Sequence, residues 1–318
     1  MKRRQLIAGA GVVAVSGCLS ESLPGLAQAE VTEELEAAQS AYGRAIDELD
    51  EQVEADDGLG LETAGPAIAT SDIESALDDV LRTVEDARGE EPPDEQVETL
   101  DALDVAASAT RDLVSIHVEL HTLYTEVELV VEAVDDGATD RDWADGSVRD
   151  TVADVRSRLG DVGNTIEDDH GPDLDDVDRV TEAALVEQVD RFRRDGETIR
   201  SVVAGLDALL GGHDWFWRAH HRYSDDRTGG NLVSYFEVAA KRFEGASESF
   251  DVPAGLFDDE AMGCHADAMA EAATAHAQAA AYRREGASED AAEKETTVNS
   301  ALDAARECDF GDLDAMSG

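Results

Sequence analysis

The chain has 318 residues, with 74 Asp and Glu against 25 Lys and Arg, and a formal net charge of −49. A field of that sign and size repels phosphate backbones, so no nucleic-acid partner is expected. The 42% of apolar residues recur at helical spacing, which sets the chain apart from acidic disordered tails.

The first element is an export segment. Lys2-Arg3-Arg4 precedes an apolar run from Leu6 to Val15, and Val15-Ser16-Gly17-Cys18 closes it. A spanning helix needs about 20 apolar residues, so this shorter run reads as a signal core. Arg3-Arg4-Gln5-Leu6-Ile7 followed by the cysteine resembles a twin-arginine lipoprotein signal. The resemblance implies cleavage before Cys18 and a diacylglyceryl group on its thiol. Two acyl chains suffice for stable anchoring. The implied location is the extracytoplasmic face of the cell membrane. Loss of residues 1–17 removes three cations and no acid, and leaves Lys241 and Lys294 as the remaining lysines. Dense carboxylates with almost no lysine resemble proteins of extremely halophilic archaea, and the two resemblances agree. At molar salt the Debye length falls to about 3 Å and screens the self-repulsion.

Residues Leu19 to Ala29 hold Pro24 and Gly25 without a clear period and read as a tether. From there Val31, Leu35, Ala38, Tyr42, Ala45 and Leu49 step by 4 and 3, a heptad-like seam. Ser71 and Glu74 form a capping-box pattern ahead of Ile73, Leu77, Val80 and Val84, with Gly89 as the stop. Pro92-Pro93 opens a long periodic stretch to about Asp136. Val148, Val152, Val155, Leu159, Val162 and Ile166 mark the next helix. Gly171-Pro172 breaks the chain. Asp173 can cap a helix from Leu174 through Val177, Val180 and Phe192 to Leu209, which Gly211-Gly212 is expected to stop.

The end of the chain predicts a hairpin. Asp259 to Arg284 is alanine-rich, Gly286 punctuates it, and Ser288 and Asp290 start a final helix ending near Cys308. Cys264 and Cys308 each lie 22 residues from Gly286, so an antiparallel turn there brings the thiols level. An oxidising compartment then favours a disulfide. Two free thiols, or a metal pair with His265, are the alternatives.

No stretch alternates with period two over a strand length. The expected fold is all-α, an antiparallel long-helix bundle or an array of helical hairpins. Its parts are a signal peptide at 1–17, a lipid-anchored tether at 18–29, a long-helix bundle at 30–210, and a C-terminal helical region with the disulfide-linked hairpin at 211–318.

Two constellations stand out as binding candidates. His117 and His121 are one turn apart on the long helix, with Tyr124 and Glu128 continuing the stripe. Their nitrogens can share a transition metal if another helix supplies a third ligand. The second is the segment His213 to Tyr223, where Trp215, Trp217, Arg218, His220, His221 and Arg222 concentrate aromatic and basic groups in an acidic chain. Tryptophan and arginine dominate binding hot spots, although such rings serve packing more often than recognition. His265 and His276 face one way along their helix, and with Met262 and Met269 near them in sequence they could contribute to a copper site, which one helix alone cannot close, while the alanine-rich context suits simple packing. No nucleophile motif, phosphate loop, dinucleotide fingerprint or haem motif occurs, so no catalytic residue is assigned and no cofactor is expected beyond that metal. The functional expectation is a membrane-anchored extracytoplasmic helical lipoprotein, binding or structural, with an envelope protein as partner. The alternative is a surface receptor for a metal ion or small ligand.

Overall fold

A computed structural model describes residues 24–53, 59–137, 145–168, 174, 177, 180–224, 231–251 and 255–316. Cys18 and the rest of the signal segment lie outside the described residues, as do Gly171, Pro172 and Asp173. Among the described residues the chain is all-helical, with no strand.

The helices are α1 (Pro24–Gln52), α2 (Ser71–Gly89), α3 (Asp94–Asp135), α4 (Asp145–Asp168), α5 (Glu182–Ser224), α6 (Leu232–Phe250), α7 (Asp259–Glu285), α8 (Ser288–Glu307) and the short α9 (Leu313–Met316). From α1 to α8 each helix packs on the next, and α3 also touches α1 and α5. The architecture is therefore an array of consecutive helical hairpins. Each helix buries its apolar seam: Tyr42 and Leu49 on α1, Ile73 and Leu77 on α2, and Val155 and Leu159 on α4 all lie in one core. At 1.5 Å per residue the 42-residue α3 is about 63 Å long.

Helix α5 is the spine. Its first half lies against α3 and α4, where a Cβ on Gly196 would stand 3.9 Å from both Leu120 and Val152. Its second half takes the Phe243 and Phe250 rings of α6 over Gly212 and Gly205. The expected stop at Gly211-Gly212 is thus corrected, because α5 runs through to Ser224 and residues 210 and 211 share one helix. Each glycine costs a helix about 1 kcal/mol, but burying one phenylalanine offsets that by about 1.5–3 kcal/mol.

Three smaller differences follow from local chemistry. Helix α1 begins at Pro24, inside the segment read as tether, because proline is preorganised for the first helical position. Helix α2 is entered from Thr70 without a side-chain cap hydrogen bond, so the Ser71–Glu74 box does not close. Helix α5 begins at Glu182, and Leu174, Val177 and Val180 are buried ahead of it. Leu174 lies in a 3-10 turn, with Val177 N–H on its carbonyl at 3.0 Å, so the spacing of these residues reflects burial ahead of α5.

The C-terminal hairpin forms as the cysteine spacing predicts. Gly286 ends α7 in the left-handed conformation, φ 80°, and Ala287 N–H reaches back to the Tyr282 carbonyl at 3.0 Å. Cys264 and Cys308 are joined, with Cα atoms 5.6 Å apart.

Candidate functional site

A cavity of about 770 Å³ opens at the middle of α5. Arg191, Arg194, Asp195, Thr198 and Ser201 of α5 line it together with Thr63, and Gly255 and Leu256 close another side. The segment 59–65 reaches this place through three anchors. Gln188 donates to the Leu61 carbonyl at 2.9 Å, Thr63 donates its hydroxyl to Asp195 Oδ2 at 2.7 Å, and His121 Nδ1–H donates to the Thr63 carbonyl at 3.2 Å. Tyr124 meets Phe257 with ring centroids 5.2 Å apart, which holds the other side near α3.

The cavity joins opposite charges. Asp195 is buried and its carboxyl is pushed above the usual range by that burial, against the pull of Thr63, Arg191 and Arg194. Arg193 is tied to Asp190 at 3.1 Å and to the Leu159 carbonyl at 3.1 Å. Arg191 lies 3.8 Å from Glu62. A buried acceptor on the floor and guanidinium groups at the rim suit a small molecule carrying a carboxylate and a hydrogen-bond donor.

His121 is thus a loop anchor. His117 is buried, with neither ring nitrogen hydrogen-bonded. It stacks on His121 at 6.0 Å and on Phe192 at 6.2 Å. Stacked rings send their lone pairs along parallel planes, so these two nitrogens do not converge on one ion. Among the described residues no group of three or more His, Cys, Asp or Glu side chains could hold a metal. Burial pushes the His117 imidazole down to about 4, and His121 beside it acts in the same direction.

The His213–Tyr223 segment is split between core and surface. Phe216 is buried among Phe236, Phe243 and His276. Trp217 is half-buried and stands edge-on to Phe216 at 5.0 Å, and Trp215 leans on Tyr235 at 5.2 Å. Arg218, His221 and Arg222 face outward. Arg218 pairs with Asp214 at 2.8 Å, and Arg222 lies over the Tyr235 ring at 5.4 Å.

One arrangement was not legible in advance. His213 Nε2 lies 3.1 Å from His265 Nε2, and His220 Nδ1 lies 2.9 Å from His276 Nε2. Two imidazole pairs therefore bridge α5 and α7, helices that otherwise touch little and share α6 as a neighbour. Spacings of seven on α5 and eleven on α7 are whole turns on each helix, and this was the available signal. Burial pushes His265 down to about 4 and His276 to about 3, and His213 well below its ordinary value. All three rings are neutral at pH 7.

No family model matches the chain, and neither a curated protein nor a solved structure matches it.

Proposed function

We propose that the protein is a lipid-anchored extracytoplasmic binding protein, tethered through Cys18, whose helical array holds a small carboxylate-bearing ligand in the α5 cavity. The observation that carries this reading is the cavity itself: Arg191 and Arg194 at the rim of a floor made by Asp195 and Thr63. Arg191, Arg193 and Arg194 meet Glu62, Asp195 and Glu197 on its lining, so the cavity offers both signs of charge to a ligand that carries a carboxylate beside a cationic or hydrogen-bond-donating group. Large apolar side chains exposed among the described residues are Val118, Leu129 and Val238. They form no contiguous sequence patch of the kind that marks an obligate interface.

The test is shift mapping by NMR in molar salt, with acetate, succinate and a set of free amino acids as probes. The expected result is perturbation of Thr63, Asp195 and Ser201, lost in Arg194→Glu at unchanged melting temperature. Perturbations confined to other residues, or none with any probe, would overturn the reading.

An envelope-protein partner is the second reading. It is favoured by the cluster of exposed Arg222 with half-buried Tyr235 and Trp215, where a cation lies over one of two tilted rings on an otherwise acidic chain. Pull-down of a membrane protein by wild type but not by Trp215→Ala with Arg222→Ala would favour it over the cavity.

A further inference from the structure

We propose that the two imidazole pairs between α5 and α7, His213 with His265 and His220 with His276, are binding sites for a soft monovalent d10 cation, Cu(I), one ion per pair. Each pair already aims one ring nitrogen at another across 3.1 and 2.9 Å. A metal–imidazole bond is about 2 Å, so an ion held linearly separates its two nitrogens by about 4 Å. Opening either pair asks each ring to retreat by about 0.5 Å.

The surroundings select the kind of ion. Zinc requires four ligands, and no third His, Cys, Asp or Glu joins either pair among the described residues. Cu(I) is content with two nitrogens in line and needs neither water nor carboxylate. Its walls here are aromatic: Phe243 stands edge-on to His213 at 5.1 Å, Phe310 edge-on to His265 at 5.9 Å, and Phe236 stacks on His276 at 4.6 Å. Walls of this kind offer no water or carboxylate, which suits a soft cation and excludes hard, hydrated ones. A buried positive charge is also opposed less in a chain of charge −49.

The pairs are incomplete as packing. His213 Nδ1, His265 Nδ1 and His276 Nδ1 are buried without a hydrogen-bond partner. An orphaned buried polar atom costs about 1–3 kcal/mol, whereas leucine or phenylalanine would fill the same space without that penalty. Binding needs no net proton release. The hydrogen shared between the facing nitrogens moves to the far nitrogen of the ring that carried it, so each neutral ring ends with one N–H, on its far side, and both facing lone pairs are free. An ion enters past His220, which is half-buried beside the exposed His221.

Ag(I) is the probe, because it needs no reductant and so leaves the Cys264–Cys308 disulfide intact. The full chain is used as Cys18→Ser, to remove the remaining thiol, in molar potassium nitrate free of chloride. Equilibrium dialysis is expected to give two tightly held ions per chain. His276→Phe should lower this to one, and His276→Phe with His265→Phe to none. Nitrogen-15 spectra of the parent chain provide a second measurement that does not depend on the variants folding. Silver should shift the facing nitrogens of His213, His220, His265 and His276. Stoichiometry unchanged in folded variants, or imidazole shifts that leave these four rings untouched, would overturn the proposal.

Discussion

The Phe243 ring occupies the space that a side chain on Gly212 would need: a Cβ there would meet Cε1 at 2.6 Å. Gly205 and Phe250 repeat the relationship two turns away. Two aromatic rings on α6 thus seat in two glycine notches on α5 at matching heptad spacing. The notch fixes the register of the α5–α6 hairpin, and through it the histidine pairs and the cavity.

Gly212→Ala is expected to destabilise the protein by about 1–3 kcal/mol, as overpacking does, although alanine is the better helix former by about 1 kcal/mol. Gly160 on α4 is the control, since a Cβ there meets nothing within 4 Å. Gly160→Ala should therefore stabilise. Chemical melts in molar salt decide it. Equal gains in both variants would show that α6 yields without cost.

The disulfide closes a loop with a sequence separation of 44. On the chain-entropy model a loop of that length contributes about 4 kcal/mol. Cys308→Ser should lose much of this, and reduction of the wild-type chain should produce the same loss. Peptide mapping without reductant should recover Cys264 joined to Cys308. Melting curves that coincide before and after reduction would contradict the stabilising role.

What could be read in the sequence tracks what depends on short-range pattern. The seams of α1, α2 and α4 show as steps of 3 and 4 because one face of each helix is buried. Cys264 and Cys308 could be paired because a single turn at Gly286 relates them. The halves of the cavity could not be joined, because Thr63 and Asp195 meet through three helices and a loop with no shared period. The histidine pairs failed for a related reason. Each helix displayed its own histidines on one face, but their meeting depends on α6 lying between α5 and α7, and on Gly212 admitting Phe243. The glycine pair at 211–212 misled because a helix break and a helix–helix notch share the same two letters.

Charge density predicts salt dependence. The ion pairs joining different helices are mostly at the surface, as Arg88 with Asp101 at 2.6 Å and Arg156 with Glu197 at 3.0 Å, and such pairs contribute little each. The unbalanced carboxylates then dominate when screening weakens from about 3 Å at 1 M to about 10 Å at 0.1 M. Helical circular dichroism is expected to fall on dialysis from molar to 0.1 M salt and to return on adding salt back. Cooperative melting with the same midpoint at both salts would mean that the core outweighs the repulsion.

Membrane attachment is expected to depend on one thiol. Cys18→Ser should release the chain from the membrane fraction or leave the signal uncleaved, because the acyl chains have no other point of attachment among the three cysteines once Cys264 and Cys308 are joined. The readout is membrane fractionation with mass spectrometry of the N-terminal peptide. A Cys18→Ser chain found in the membrane at the normal mature mass would remove the anchor from the proposed function.

His117 makes the last expectation, a loss of stability in acid. Its imidazole sits at about 4 in the folded chain, lowered by burial and by His121, against about 6.5 when unfolded. Between those values the unfolded chain takes up a proton that the folded chain refuses. Stability from this group is therefore complete above about pH 6.5 and falls as the pH drops toward 4, by about 1.4 kcal/mol per pH unit. The groups facing the ring are His121 on its own helix and Phe192 on α5. Asp195 acts with the opposite sign, since its raised carboxyl favours the folded state as the pH falls. The difference between wild type and His117→Leu isolates the imidazole from that carboxyl and from the relief of general repulsion. Denaturation at pH 8 and pH 5 should show the variant gaining on the wild type by at least about 1 kcal/mol at the lower pH. A gap that does not change between the two pH values would mean that His117 is protonated in the folded core, with a counter-charge drawn to it on acidification.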